Sequence, residues 1–172
     1  MRRLRYQVAT SLDGYIAGTH GEFDWIMMDP DIDFAELGAR FDTAVMGRKT
    51  FLATLQQGGT GVMPGLDIVV YSGTLDPAKF PEVSIVNSDP ADNIRSLKAR
   101  PGKDIWLFGG GELFRTLLAA GVVDTVEPAV VPVLLGDGIK MLPAHDSRTT
   151  LTLRRHRLYP KSGIVLLEYT ID

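Results

Sequence analysis

Short apolar runs, several ending in glycine, recur along the first two thirds of the chain, and most are followed by a stretch with helical spacing. The last quarter instead alternates apolar and polar positions over two long segments. Residues 4–9 alternate as an opening strand, and Asp13-Gly14 supplies a turn. Residues 18–33, rich in Gly, Asp and Pro, form a long loop of the kind that carries function. Asp33-Phe34-Ala35-Glu36 has the form of a capping box, so a helix is predicted from there, with Phe34, Leu37 and Phe41 on its apolar face. Strands are predicted at 43–46, 67–71, 81–86 and 105–108, and helices from Gly47 to about residue 55, at 92–99 and at 112–120. Residues 122–133 read as a strand, and Pro128 and Pro132 place it at an edge or a bend. Segments 150–159 and 163–171, joined by Pro160-Lys161-Ser162, form a hairpin.

Strands alternating with helices imply a mostly parallel sheet covered on both faces, with the terminal hairpin adding antiparallel strands at one edge. No repeat or internal boundary is visible, and residues 1–172 are expected to form one domain.

Composition narrows the chemistry. The chain has 172 residues, 45% hydrophobic and 23% charged, which is ordinary for a globular domain. It has no cysteine, which excludes disulfides, thiolate nucleophiles and sulfur-based zinc sites. His20, His145 and His156 are scattered, so no metal is expected. The net charge is −3, and the one basic cluster, Arg154-Arg155-His156-Arg157, falls in an alternating stretch and reads as a solvated strand face. Nucleic-acid and membrane partners are not expected. No apolar run is long enough to cross a bilayer, and the N-terminal segment lacks the apolar stretch of a signal peptide, so a cytoplasmic location is expected.

Two segments share a design in which an apolar strand ends in glycine and a helix starts: 44–50, around Gly47-Arg48-Lys49-Thr50, and 105–113, around Gly109-Gly110-Gly111-Glu112-Leu113. A helix N-terminus presents unpaired N–H groups and partial positive charge, and glycine lets an anion approach them closely. Both sites would lie at the carboxyl ends of parallel strands, where open sheets bind ligands. Arg48 and Lys49 sit badly at a helix N-terminus unless an anion joins them. The Rossmann and P-loop patterns are absent.

The ordered set Ser11-Leu12-Asp13-Gly14-Tyr15-Ile16-Ala17, Asp24-Trp25-Ile26, Met46-Gly47-Arg48-Lys49-Thr50-Phe51, Phe108-Gly109-Gly110-Gly111-Glu112-Leu113 and Pro132-Val133-Leu134-Leu135-Gly136-Asp137-Gly138 resembles the dihydrofolate reductase superfamily. The similarity is greatest to the branch holding the C-terminal reductase domain of bacterial riboflavin biosynthesis. That resemblance implies a three-layer α/β/α fold, NADPH as cofactor and a small-molecule substrate, heteroaromatic or carbonyl, reduced by hydride transfer. It implies that Gly47, Arg48, Lys49 and Thr50 hold cofactor phosphates, with Arg48 on the 2′-phosphate and Ser72 on the adenosine side. Gly109, Gly110, Gly111, Glu112 and Leu113 would carry a tight Gly-Gly turn, able to take a cis peptide, against the pyrophosphate and nicotinamide. Ala9 and Ile16 would meet the carboxamide through their backbones. Members of this branch often form dimers, which makes a homodimer the expected assembly.

On the substrate side, Asp29, Asp31 and Asp33 crowd the region where dihydrofolate reductases place an acidic residue. Asp33 has a competing use as a helix cap, leaving Asp31 as the candidate acid. Trp25 and Phe34 are candidates for the pocket wall, Trp25 having the alternative of pinning the loop to the core. Trp106, inside a strand, reads as core. Two other functions fit the same motifs: a catalytically silent NADP(H)-binding module, and a non-redox enzyme using the two helices for another phosphate ligand.

Overall fold

The computed structural model describes residues 1–172. In chain order the elements are β1 (Leu4–Ser11), β2 (Tyr15–Ala17), α1 (Phe34–Gly38), β3 (Phe41–Gly47), α2 (Arg48–Gln56), β4 (Asp67–Tyr71) and β5 (Ser84–Val86). They continue with α3 (Pro90–Ala99), β6 (Asp104–Gly109), α4 (Gly111–Ala119), β7 (Thr125–Val131), β8 (Ile139–Lys140), β9 (Leu151–Tyr159) and β10 (Ile164–Ile171). Eight strands form one sheet in the order β5-β4-β3-β6-β1-β7-β10-β9, and β2 pairs with β8 separately. The first six are parallel, and β10 and β9 add antiparallel to β7 as the terminal hairpin.

Strand alternation sorts the side chains into layers. Leu4 and Tyr6 of β1 join Ile105 and Leu107 of β6 in a core closed by Ile94 of α3 and by Phe114 and Leu117 of α4. On the opposite face Met46, Ile68 and Val70 pack with Phe51 of α2. Arg5, Gln7 and Ala9 of β1 alternate with the core residues and so face this second side.

Two expectations about local structure are corrected. The helix begun by Asp33 ends at Gly38, and Phe41 is the first residue of β3, buried against Trp106. Asp33 does cap that helix, accepting the Glu36 N–H. The apolar spacing 34-37-41 therefore spans a one-turn helix and a strand. Strand β7 is internal, between β1 and β10, with Pro128 buried in it. The ladder to β10 pairs Thr125, Val126, Ala129 and Val130 in one register and is interrupted at Glu127 and Pro128, where proline has no N–H to give. The β2–β8 sheet was not predicted, since a two-residue strand carries no alternation to detect.

Candidate active site

A cavity of about 1150 Å³ opens at the carboxyl ends of β1, β3 and β6. One half is built by the two strand–glycine–helix segments. Helices α1 and α3 have aspartate caps, Asp33 and Asp89, that satisfy first-turn N–H groups. Helices α2 and α4 begin at Gly47 and Gly110 with no side-chain cap, and both reach the cavity wall. Their unpaired donors are left for something in the cavity.

The Gly109–Gly110 peptide is cis. A Cβ at Gly111 would collide with the Lys140 carbonyl, so the start of α4 can lie this close to β8 only with glycine there. Arg48 donates to the Thr74 hydroxyl at 3.1 Å, and the Ser72 hydroxyl accepts the N–H groups of Thr74 and Leu75. Ser72 is thus off the wall and shapes the loop that holds Arg48.

Of the residues singled out from sequence, Ala9, Ile16, Gly47, Arg48, Lys49, Thr50, Gly109, Gly110, Gly111, Glu112, Leu113 and Phe34 share this one wall. Trp25 does not. It packs on the cluster of Val131, Tyr159 and Ile164 and pins the loop, the second of its two readings.

None of the three aspartates before α1 lines the cavity. Asp33 is the cap. Asp29 is buried and accepts the backbone N–H groups of Asp31 and Ser162, each at 2.9 Å. Asp31 forms an ion pair at 2.8 Å with Lys161 in the β9–β10 turn and does not line the cavity. Loop 18–33 is thereby fastened at its far end to the hairpin turn. Hydrogen bonding from Ser162 holds the Asp29 carboxyl below its ordinary range. A lowered carboxylate stabilises the fold above the ordinary carboxylate pKa and ceases to do so as pH falls through the lowered value. The Asp29 contribution to this tether is therefore expected to be present at neutral pH and to be lost in acid. Replacing Asp29 by Ala is expected to release it at neutral pH as well, read as faster amide exchange at Asp31 and Ser162.

The second half of the cavity is apolar. Ile26, Met27, Phe34 and Leu37 line it, together with Phe41 and Trp106, whose rings stack at 5.6 Å. Trp106 is thus a wall residue as well as a packing residue, fixed by an Nε1–H bond of 2.9 Å to the Gln7 backbone carbonyl. Sequence reasoning missed Gln7, whose side-chain oxygen is buried at this wall without a partner. The alternation of β1 held the signal, because Gln7 must share a face with Ala9.

The eight-stranded mixed sheet, the crossover helices and a cleft between two glycine-started helices define a protein of the dihydrofolate reductase-like fold, a fold shared by reductases. The model of the RibD C-terminal domain matches residues 2–165, and the chain belongs to that family. It is 31% identical over 178 residues to YyaP, an uncharacterized protein of Bacillus subtilis (strain 168), covering 98% of this chain and 94% of YyaP. A Shewanella sp. PV-4 structure named for riboflavin biosynthesis superposes with a TM-score of 0.84 at 25% identity, over 100% of this chain and 99% of that one. Dihydrofolate reductase from Enterococcus faecalis, solved with NADP(H), superposes with a TM-score of 0.69 at 17% identity, over 99% and 96% of the two chains. No helix is long and apolar enough to cross a membrane.

Proposed function

We propose that this protein is an NADPH-dependent reductase that passes hydride to a small heteroaromatic or carbonyl substrate. The observation that carries the reading is the pair of uncapped helix N-termini, one bearing Arg48 and Lys49, that meet in a single cavity. Bound there, NADPH supplies the hydride at nicotinamide C4. The residues present fit such a ligand. The α2 N-terminus with Arg48 and Lys49 receives phosphate, and the planar guanidinium suits the 2′-phosphate. The Ser72–Thr74 loop keeps Arg48 in place. The close approach at Gly110 and Gly111 leaves the α4 donors to the pyrophosphate, and the backbone at Ala9 and Ile16 receives the carboxamide.

No carboxylate lies on the apolar half of the wall, and this supports water, in preference to Asp31, as the source of the accompanying proton. Loop 18–33, carrying Phe23, Met27 and Met28 at the cavity mouth, is placed to close over a bound substrate.

The test is a titration of the protein with NADPH and with NADH, followed by intrinsic tryptophan fluorescence, to which Trp106 on the wall and Trp25 both contribute. Arg48→Ala is expected to weaken NADPH binding by about tenfold to a hundredfold, the worth of a hydrogen bond to a charged group, and to leave NADH nearly unchanged. Equal losses for both cofactors would remove Arg48 from the 2′-phosphate. Saturation by neither cofactor would overturn the reductase reading.

A further inference from the structure

The geometry points to Asp13 as a positioning residue that stands outside the cavity and holds the small β2–β8 sheet against the start of α4. The inference rests on the reductase reading and extends it to a side chain that does not line the cavity.

The β2–β8 sheet places Ile16, Ala17, Ile139 and Lys140 on the cavity wall, and Gly138 beside them. Its own ladder is slight. Tyr15 pairs with Lys140 and Ala17 with Ile139, and the register shifts between the two pairs. Two strands alone are at best marginally stable in water, even when longer than these. Yet the packing around them is close. A Cβ at Gly138 would collide with the Ala17 carbonyl, and one at Gly111 with the Lys140 carbonyl. A sheet of two rungs that sits so tightly on a helix start must be held from elsewhere.

Asp13 supplies that hold. The chain turns after β1, with the Gly14 N–H donating to the Ser11 carbonyl at 3.0 Å, and Asp13 stands within the turn. Its carboxylate accepts the Ser11 hydroxyl at 2.6 Å, the Gly136 N–H at 2.7 Å and the Leu135 N–H at 3.1 Å. The Ser11 oxygen accepts the Tyr15 N–H at 2.9 Å. One run of contacts therefore leads from the segment before β8, through Asp13 and Ser11, to the first residue of β2. Leu135 and Gly136 lie 122 and 123 residues from Asp13, so the carboxylate does more than shape its own turn.

Two backbone bonds flank this run, Leu12 N–H to the Val133 carbonyl and Met141 N–H to the Gly14 carbonyl, each at 2.9 Å. Asp13 is the one charged group among these partners, and hydrogen bonds to a carboxylate are roughly twice as strong as neutral ones. Hydrogen bonding, from Ser11 above all, holds its carboxyl below the ordinary range. On the reductase reading the Ile16 backbone and the α4 donors serve the nicotinamide and pyrophosphate. Arg48, for the 2′-phosphate, is held by Thr74 on a separate loop. Loss of Asp13 should therefore loosen one end of the cofactor site and spare the other.

Two ligands separate these ends: NADPH, and adenosine 2′,5′-bisphosphate, which lacks the nicotinamide half. In Asp13→Ala, calorimetry is expected to show NADPH bound about tenfold more weakly and adenosine 2′,5′-bisphosphate bound as in the wild type, which also reports that the variant is folded. Amide exchange of the ligand-free variant is expected to quicken at Tyr15 and Met141, neither of which bonds to Asp13, and to stay unchanged in β3. Ser11→Ala, which cuts the link from Asp13 to β2, is expected to give the same ligand split and stands in should Asp13→Ala not fold. Equal weakening of both ligands, unchanged NADPH affinity, or unchanged exchange at Met141 would each overturn the inference while leaving the reductase reading intact. Failure of the wild-type protein to bind NADPH would instead defeat the reductase reading, and this inference with it.

Discussion

Glu127→Ala is expected to lower the stability of the fold by about 3–5 kcal/mol, the cost of breaking a buried ion pair from one side. Glu127 is 1% exposed and accepts the Arg5 Nε–H and the Thr125 hydroxyl, each at 2.6 Å. Arg5 also meets Asp104 at 3.2 Å and Glu168 at 3.3 Å, and Glu168 is shared with Arg40 at 3.3 Å. The cluster joins β6, β1, β7 and β10 on the face that leads to the cavity. Removing Glu127 leaves the Arg5 guanidinium buried beside weaker partners. Glu127→Gln, which keeps a carbonyl for Arg5 and Thr125, is expected to cost less.

The pair of variants also isolates a pH effect. Burial raises the Glu127 carboxyl pKa above its ordinary value. In the window between the ordinary and the raised value the native state binds more protons than the unfolded one, so this residue's contribution falls as pH rises through it. Glu127→Gln is expected to lack that slope. Urea unfolding across mildly acidic to neutral pH reads both effects. Equal midpoints for wild type and Glu127→Ala would show that the cluster contributes nothing net.

Phe114→Ala is expected to cost a similar amount, about 3–5 kcal/mol, through lost burial and an unfilled cavity. Phe114 is 2% exposed, and its ring stacks on Tyr6 at 3.9 Å. This contact seats α4 on β1, and α4 begins at the Gly110–Gly111 end of the site. The variant is therefore also expected to weaken NADPH binding, measured by the same fluorescence titration at a temperature where it remains folded. Phe114→Leu, which keeps most of the volume, is expected to lose less of both. A destabilised Phe114→Ala protein with wild-type cofactor affinity would separate α4 packing from the site.

Most of the half of the cavity built by the two glycine-started helices was legible in the sequence, because it is local. A strand, a glycine and a helix start lie within seven or nine consecutive residues at 44–50 and 105–113, and the physics of an uncapped helix N-terminus belongs to each segment alone. The same holds for Asp33 as a cap and for the terminal hairpin, whose alternation runs for eight residues or more. The apolar half was less legible, because its residues come from loop 18–33, α1, β1, β3 and β6 and share no spacing. Asp31 and Trp25 illustrate the limit. Each stood in the right region, yet the direction of each depends on a partner more than a hundred residues away, Lys161 for one and the Val131–Tyr159–Ile164 cluster for the other.

The sequence by itself determined the alternation of strands and helices, the two glycine-started helices, the absence of thiol chemistry and the family pattern along the chain. Only the tertiary structure decided that Pro128 sits in an internal strand, that Trp106 and Gln7 face a cavity, and that Asp29 and Asp31 fasten a loop. The physical reason is range. Backbone donors, caps and side-chain alternation act within one turn or one strand. Burial, counter-ions and unpartnered polar atoms are properties of what the folded chain places next to a residue, and nothing local records them.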